Sequence, residues 1–197
     1  MWRRQRSERL HYTDHQTQMK YFTAEIWAGW QGNEATFKRA CDKWDFNRAR
    51  YQKSLGRLAP RLGKRNGSFF SNHSLHDGRL LLFAISDWPA GKLEWRRTPP
   101  QTRVHMAVLA GTKSALIYRL AYEGTREISL QTKNNLFALD FSRFGDWGYD
   151  ELLPAGKFHF RHNILFQTGT EISITFRSFR FTRTEGSKQE LKRYNNL

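Results

Sequence analysis

Between Asn33 and Leu62 the apolar residues Phe37, Cys41, Trp44, Tyr51, Leu55, Leu58 and Leu62 recur at intervals of three, four and seven. That period belongs to a helix with one buried stripe. Asn33 suits the N-cap, and Gly56, Pro60 and Gly63 end or break the helix near its last turn. The opposite face carries Lys38, Arg39, Lys43, Arg50, Lys53 and Arg57, so the predicted helix is amphipathic with a cationic outer side.

From Ser68 to Arg183 the alternation becomes that of strands. The expected strands are 79–86, 104–110, 114–121, 126–132, 147–153, 157–166 and 170–181. Side-chain parity fixes two expected hairpins. Phe158, Phe160, Ile164 and Phe166 share a face, as do Ile172, Ile174 and Phe176, and an odd loop is needed to bring both sets to one side. Gln167-Thr168-Gly169 fits, with Gly169 left-handed, which sets Ile164 against Ile172, Phe160 against Phe176 and Arg161 near Thr175. It also turns His159 toward Arg177. By the same logic Tyr122-Glu123-Gly124 sets Tyr118 against Ile128 and Leu116 against Leu130. After Phe176 the apolar phase slips to Phe179 and Phe181, which predicts a bulge near Ser178.

Outside these segments, residues 1–18 read as a basic flexible arm and residues 184–197 as a polar tail. Residues 19–65 form the helical segment and 66–183 the antiparallel β region of the same domain. Met19 opens a different texture and is expected to begin the folded part, and to be an alternative start. The fold class expected is α+β, an N-terminal helical segment packed on an antiparallel β-sheet, sandwich or half-barrel.

Composition narrows the class. Aromatic residues make up 15% of the 197, far too many for a disordered basic chain. A single cysteine excludes a disulfide framework, and Cys41 lies on the helix's apolar stripe as a small core residue. No apolar run nears the ~18 residues of a membrane span and no secretory signal is visible, so a cytoplasmic protein is expected. Nucleophile elbows, phosphate-cradling loops and dinucleotide fingerprints are absent, and no cofactor is expected.

The charge is the strongest clue. Thirty-three Lys and Arg against 18 Asp and Glu give +15, and +13 remains from Met19 onward. Ten basic residues crowd Lys38 to Arg65. A domain of pI about 10.4 carries the electrostatic footprint of nucleic-acid binding. The residues expected to neutralise phosphates are Arg39, Lys43, Arg50, Lys53 and Arg57 on the helix, with Arg161, Arg177 and Arg180 as a second line on the last strands. Outward rings such as Trp88, Trp95 or Tyr122 are candidates for stacking on bases.

Two polar clusters carry alternative chemistry. His76, Asp77 and Glu151 would serve a hydrolase or nuclease if folded into one cleft. A metal at His73 and His76 would need a third ligand from Asp150, Glu151, His159 or His162, and no metal is expected. The structural reading of the same residues is an Asp77-Gly78 turn, with His76 bonded to a backbone group or to one inward acid of the 150–151 pair. A module binding an acidic protein partner, such as an immunity-type inhibitor, is the remaining alternative.

Met19-Lys20-Tyr21-Phe22-Thr23, Leu75-His76-Asp77 and Trp147-Gly148-Tyr149-Asp150-Glu151 together resemble an uncharacterised family of bacterial proteins. Its members open with Met-Lys-Tyr-Phe-Thr and carry Leu-His-Asp and Trp-x-Tyr-Asp-Glu motifs. The likeness spans about residues 19–183, including the hairpin from His159 to Phe176. It implies the fold without implying an activity. The relatives are commonly acidic or near neutral, so the charge here is not a demand of the fold.

Overall fold

The computed structural model describes residues 19–88, 101–110, 116–132, 144–187 and 191. The expected arm, most of the expected tail and Trp95 lie outside them, and so does the side chain of Trp88. Helix α1 covers Ala24–Gly29, α2 covers Glu34–Leu58, a 3-10 turn covers Ala59–Leu62, and α3 covers Lys64–Asn72. The strands are β1 (Arg79–Trp88), β2 (Gln101–Leu109), β3 (Leu116–Glu123), β4 (Glu127–Gln131), β5 (Trp147–Pro154), β6 (Phe160–Phe166), β7 (Glu171–Phe176) and β8 (Ser178–Glu185). They form two four-stranded antiparallel sheets, ordered β1-β2-β3-β8 and β4-β7-β6-β5. The protein is an α+β fold, as its patterning predicts.

Helix α2 starts where the sequence places it. Asn33 caps it by accepting the backbone N–H of Thr36 at 3.0 Å. Tyr51, Leu55 and Leu58 of the apolar stripe are buried, whereas Phe37 is 49% exposed because the first turns of α2 lie beside short α1 and not on a sheet. Tyr51 also reaches a strand edge: the N–H of Leu152 donates to its hydroxyl at 2.9 Å. α2 therefore covers β5, which is the edge of its sheet.

Helix α3 replaces part of the expected β texture at Ser68–Asn72. It lacks a side-chain cap and carries Gly67 mid-helix, so its local signal is poor. Packing supplies what propensity does not. Phe69 lies against Tyr118, Phe179 and Phe181, while Phe70 touches Phe179 of one sheet and His162 of the other. Each such fully buried ring contributes about 1.5–3 kcal/mol.

The β6–β7 hairpin has the expected register, with Ile164 opposite Ile172, Phe160 opposite Phe176, Arg161 opposite Thr175, and Gly169 at φ 80. The second expected hairpin does not exist. β3 pairs with β8 and β4 with β7, so Tyr118 faces Arg183 and Ile128 faces Ile174. Gly124 is left-handed as foreseen, at φ 61, but it passes the chain from one sheet to the other. The expected bulge near Ser178 is the same event on the neighbouring strand: β7 ends at Phe176 and β8 begins at Ser178 in the other sheet. The two crossings touch, because the N–H of Arg177 donates to the Glu123 carbonyl at 3.0 Å. β3–β4 and β8–β7 thus form one long antiparallel ribbon bent at a corner, a recognised way of joining two packed sheets.

Phe158 also departs from its expected face. It sits in the turn before β6 and is 62% exposed, while His159 is buried. The turn before β6 breaks the alternation on which that expectation rests.

Candidate functional site

The two polar clusters meet, but as a structural clasp. Gly78 N–H donates to Leu75 O at 2.8 Å, closing a turn with Asp77 at φ 60. Asp77 N–H donates to Trp147 O at 2.9 Å, and Trp147 N–H to Gly78 O at 2.6 Å. His76 Nδ1–H donates to the Gly148 carbonyl at 2.6 Å, and its ring stacks on Tyr149. The backbone reading of this turn is therefore the one realised. His76 makes its bond to Gly148 and not to an acid of the 150–151 pair; its nearest carboxylate is Asp77, with Nε2–Oδ1 at 3.5 Å.

Glu151 is elsewhere engaged. It is fully buried and accepts the N–H groups of Lys20 and Tyr21 at 2.6 and 2.8 Å, and the Asn163 amide at 3.2 Å. Burial raises its pKa, against the lowering effect of those bonds. Its partners anchor the chain at Met19–Phe22, and none is His76 or Asp77. Among the described residues, no hydrogen bond or ion pair joins Glu151 to His76 or Asp77. Among the described residues no group of three His, Cys, Asp or Glu is placed to hold a metal ion.

The acid beside it forms a different chain. Asp150 accepts from His162 Nε2 at 2.9 Å, and His162 Nδ1 accepts the Tyr122 hydroxyl at 2.7 Å. Trp147 Nε1–H also donates to Asp150, at 3.2 Å. This chain joins β3 to β6 and β5 across the two sheets. Tyr122 and His162 are fully buried, so Tyr122 is not available to stack on a base.

The cations separate into distinct places. Arg39 and Lys43 line one cleft near α1, where Lys43 pairs with Glu25 at 2.8 Å and holds its carboxyl below the usual range. Arg161 pairs with Glu127 at 3.4 Å, Arg180 pairs with Glu123, and Arg177 stands at the ribbon corner beside Gly124. Arg161 and Arg180 are therefore not the uncompensated second line the sequence suggested. Glu123 on β3, the strand beside Arg180, and Glu127 on β4 supply their partners.

Arg50, Lys53 and Arg57 behave differently. At spacings of three and four they project from one face of α2 and line a cleft of about 500 Å³ with Arg61, Ser54, Leu58, Tyr21 and Pro154. Four cations line it, and no carboxylate is among the described residues that do. Arg61 closes the far wall by donating from Nη2 to the carbonyls of Lys157 and Gly156 at 2.6 and 3.4 Å. Its guanidinium lies over Phe160 at 5.0 Å. Sequence reasoning missed Arg61 as a site residue because Pro60 interrupts the helical count. Its signal was nonetheless present, four residues after Arg57.

No protein-family model, curated protein or solved structure matches the chain.

Proposed function

We propose that this is a non-enzymatic binding protein of the bacterial cytoplasm that engages the phosphates of nucleic acid, or of a nucleoprotein, through the α2 cleft. One observation carries the reading: Arg50, Lys53, Arg57 and Arg61 line a single cleft, and no carboxylate is among the described residues of its wall. Like charges so gathered repel, and a polyanion relieves that repulsion while releasing counterions. Arg39 extends the positive surface along α2, while Lys43, Arg161 and Arg180 already have carboxylate partners and add less. No described helix is long and apolar enough to cross a membrane.

The likeness to the uncharacterised bacterial family belongs to the same proposal. In its favour, two of its motifs adjoin in space, with Leu75-His76-Asp77 clasped to Trp147-Gly148. The family supplies no activity, so the function rests on the cleft.

The test is affinity for single- and double-stranded oligonucleotides as a function of salt. Binding falls steeply with salt, and Lys53→Gln or Arg57→Gln each lowers the slope of log K against log salt by about 0.7–0.9. Absent or salt-independent binding to both forms overturns the reading. An acidic protein that stays bound after nuclease treatment, and that Arg57→Gln releases, replaces nucleic acid with the alternative partner.

A further inference from the structure

The cleft is flanked by two exposed aromatic rings. Phe46, on α2 one turn before Arg50, is 64% exposed and has the Arg50 guanidinium 5.3 Å from its centroid. Phe158, 62% exposed, stands in the β5–β6 turn, with the Lys157 ammonium 5.2 Å from its centroid. That turn is the segment Arg61 holds by its carbonyls, and its form is set by Ala155 N–H donating to His159 O at 3.0 Å and by Gly156 at φ 92. Two of the cleft's cations, Arg50 and Arg61, therefore each have an exposed ring close by, one on a helix and one on a pinned turn.

Single exposed apolar rings are ordinary when scattered over a surface, and grouped ones mark a contact site. Here one ring adjoins Arg50 and the other stands in the turn that Arg61 holds, so both border the residues that line the cleft. In a duplex the base faces are stacked on one another and offer nothing to a flat ring, whereas an unpaired strand presents a π-face with every phosphate. We infer that the α2 cleft takes single-stranded nucleic acid, with phosphates on Arg50, Lys53, Arg57 and Arg61 and unpaired bases stacked on Phe46 and Phe158. This rests on the phosphate-binding reading and adds to it the form of nucleic acid. The cations beside the rings contribute twice, by neutralising phosphate and by flanking the stacked base. Because any base has a π-face, the preference is for strandedness and not for sequence.

The experiment compares three labelled probes by fluorescence anisotropy between 50 and 200 mM salt: a 12-nucleotide single strand, its duplex, and an abasic strand with the same number of phosphates. The single strand binds more tightly than the duplex. Phe158→Ala and Phe46→Ala each weaken single-strand binding about fivefold or more, leaving the salt slope unchanged. The abasic strand binds the wild-type protein about as weakly as the normal strand binds the doubly substituted one. Both rings are exposed, so neither change endangers the fold, and circular dichroism checks this. Equal or tighter duplex binding, or phenylalanine variants without effect, overturns the inference while the slope change in Arg57→Gln keeps phosphate binding standing. If that slope change is missing too, both readings fall.

Discussion

At the scale of single residues, the most informative side chain is a carboxyl that does not react. Glu151 ties the strand edge at β5 to the backbone of Lys20 and Tyr21, so it organises the N-terminal end of the described fold. Burial holds its folded pKa above that of the unfolded chain. Folded protein then binds this proton more tightly, and the stability it confers is complete below the unfolded pKa and lost as pH rises through the folded one. Wild type is expected to lose stability relative to Glu151→Gln as pH is raised from 4 to 7, measured by urea unfolding. A difference that stays constant or grows in favour of wild type across that range contradicts it. The sequence singled out Glu151 as a possible reactive acid, since a carboxylate beside Asp150 and within reach of histidines looks the same on paper in either role. Only the fold shows that its acceptor sites are filled by backbone N–H groups more than 100 positions away. The Asp150–His162–Tyr122 chain was invisible for a related reason. Its members come from three strands, and no spacing along the chain records that they meet.

At the scale of elements, legibility followed how local the deciding interaction is. α2 was readable because its cap, its stripe and its cationic face all lie within one run of sequence. The β6–β7 hairpin was readable because one three-residue loop fixes its register. α3 was not, because Phe69 and Phe70 stabilise it against strands more than 45 positions away, while its own residues include two that disfavour helix. The β3–β4 hairpin failed instructively: a left-handed glycine after two residues serves a tight turn and a sheet corner equally well. Gly67 offers a test of how α3 is held. A Cβ there would come within 2.2 Å of the Ala59 carbonyl oxygen, so Gly67→Ala must push α3 off the preceding turn. It is expected to destabilise the protein by about 1–3 kcal/mol in urea unfolding. Gly56→Ala is the control, since its Cβ meets nothing within 4 Å on exposed α2 and adds about 0.5–1 kcal/mol of stability. Equal effects of the two substitutions would mean that α3 is not seated by this contact.

At the scale of the whole molecule, the charge of +15 is unevenly compensated. On the strands the arginines meet carboxylates: Arg161 has Glu127 and Arg180 has Glu123. On the C-terminal half of α2 they line one cleft together. A net charge read from composition could not make that distinction, and it is the distinction that locates the proposed interface. The bent ribbon has a consequence of a different kind. Because β3 turns the corner into β4 and β7 turns it into β8, the two sheets share one ribbon, and neither can be removed as a unit. Pulling the ribbon out of one sheet strips two strands from the other. The two layers therefore melt together, in a single transition seen alike by near-ultraviolet dichroism and by hydrogen exchange in either sheet. A C-terminal truncation within β7 takes strand from both sheets at once. The corner at Gly124 and Arg177 works as a shared hinge pin: it makes one cooperative body out of what the strand orders alone would describe as two.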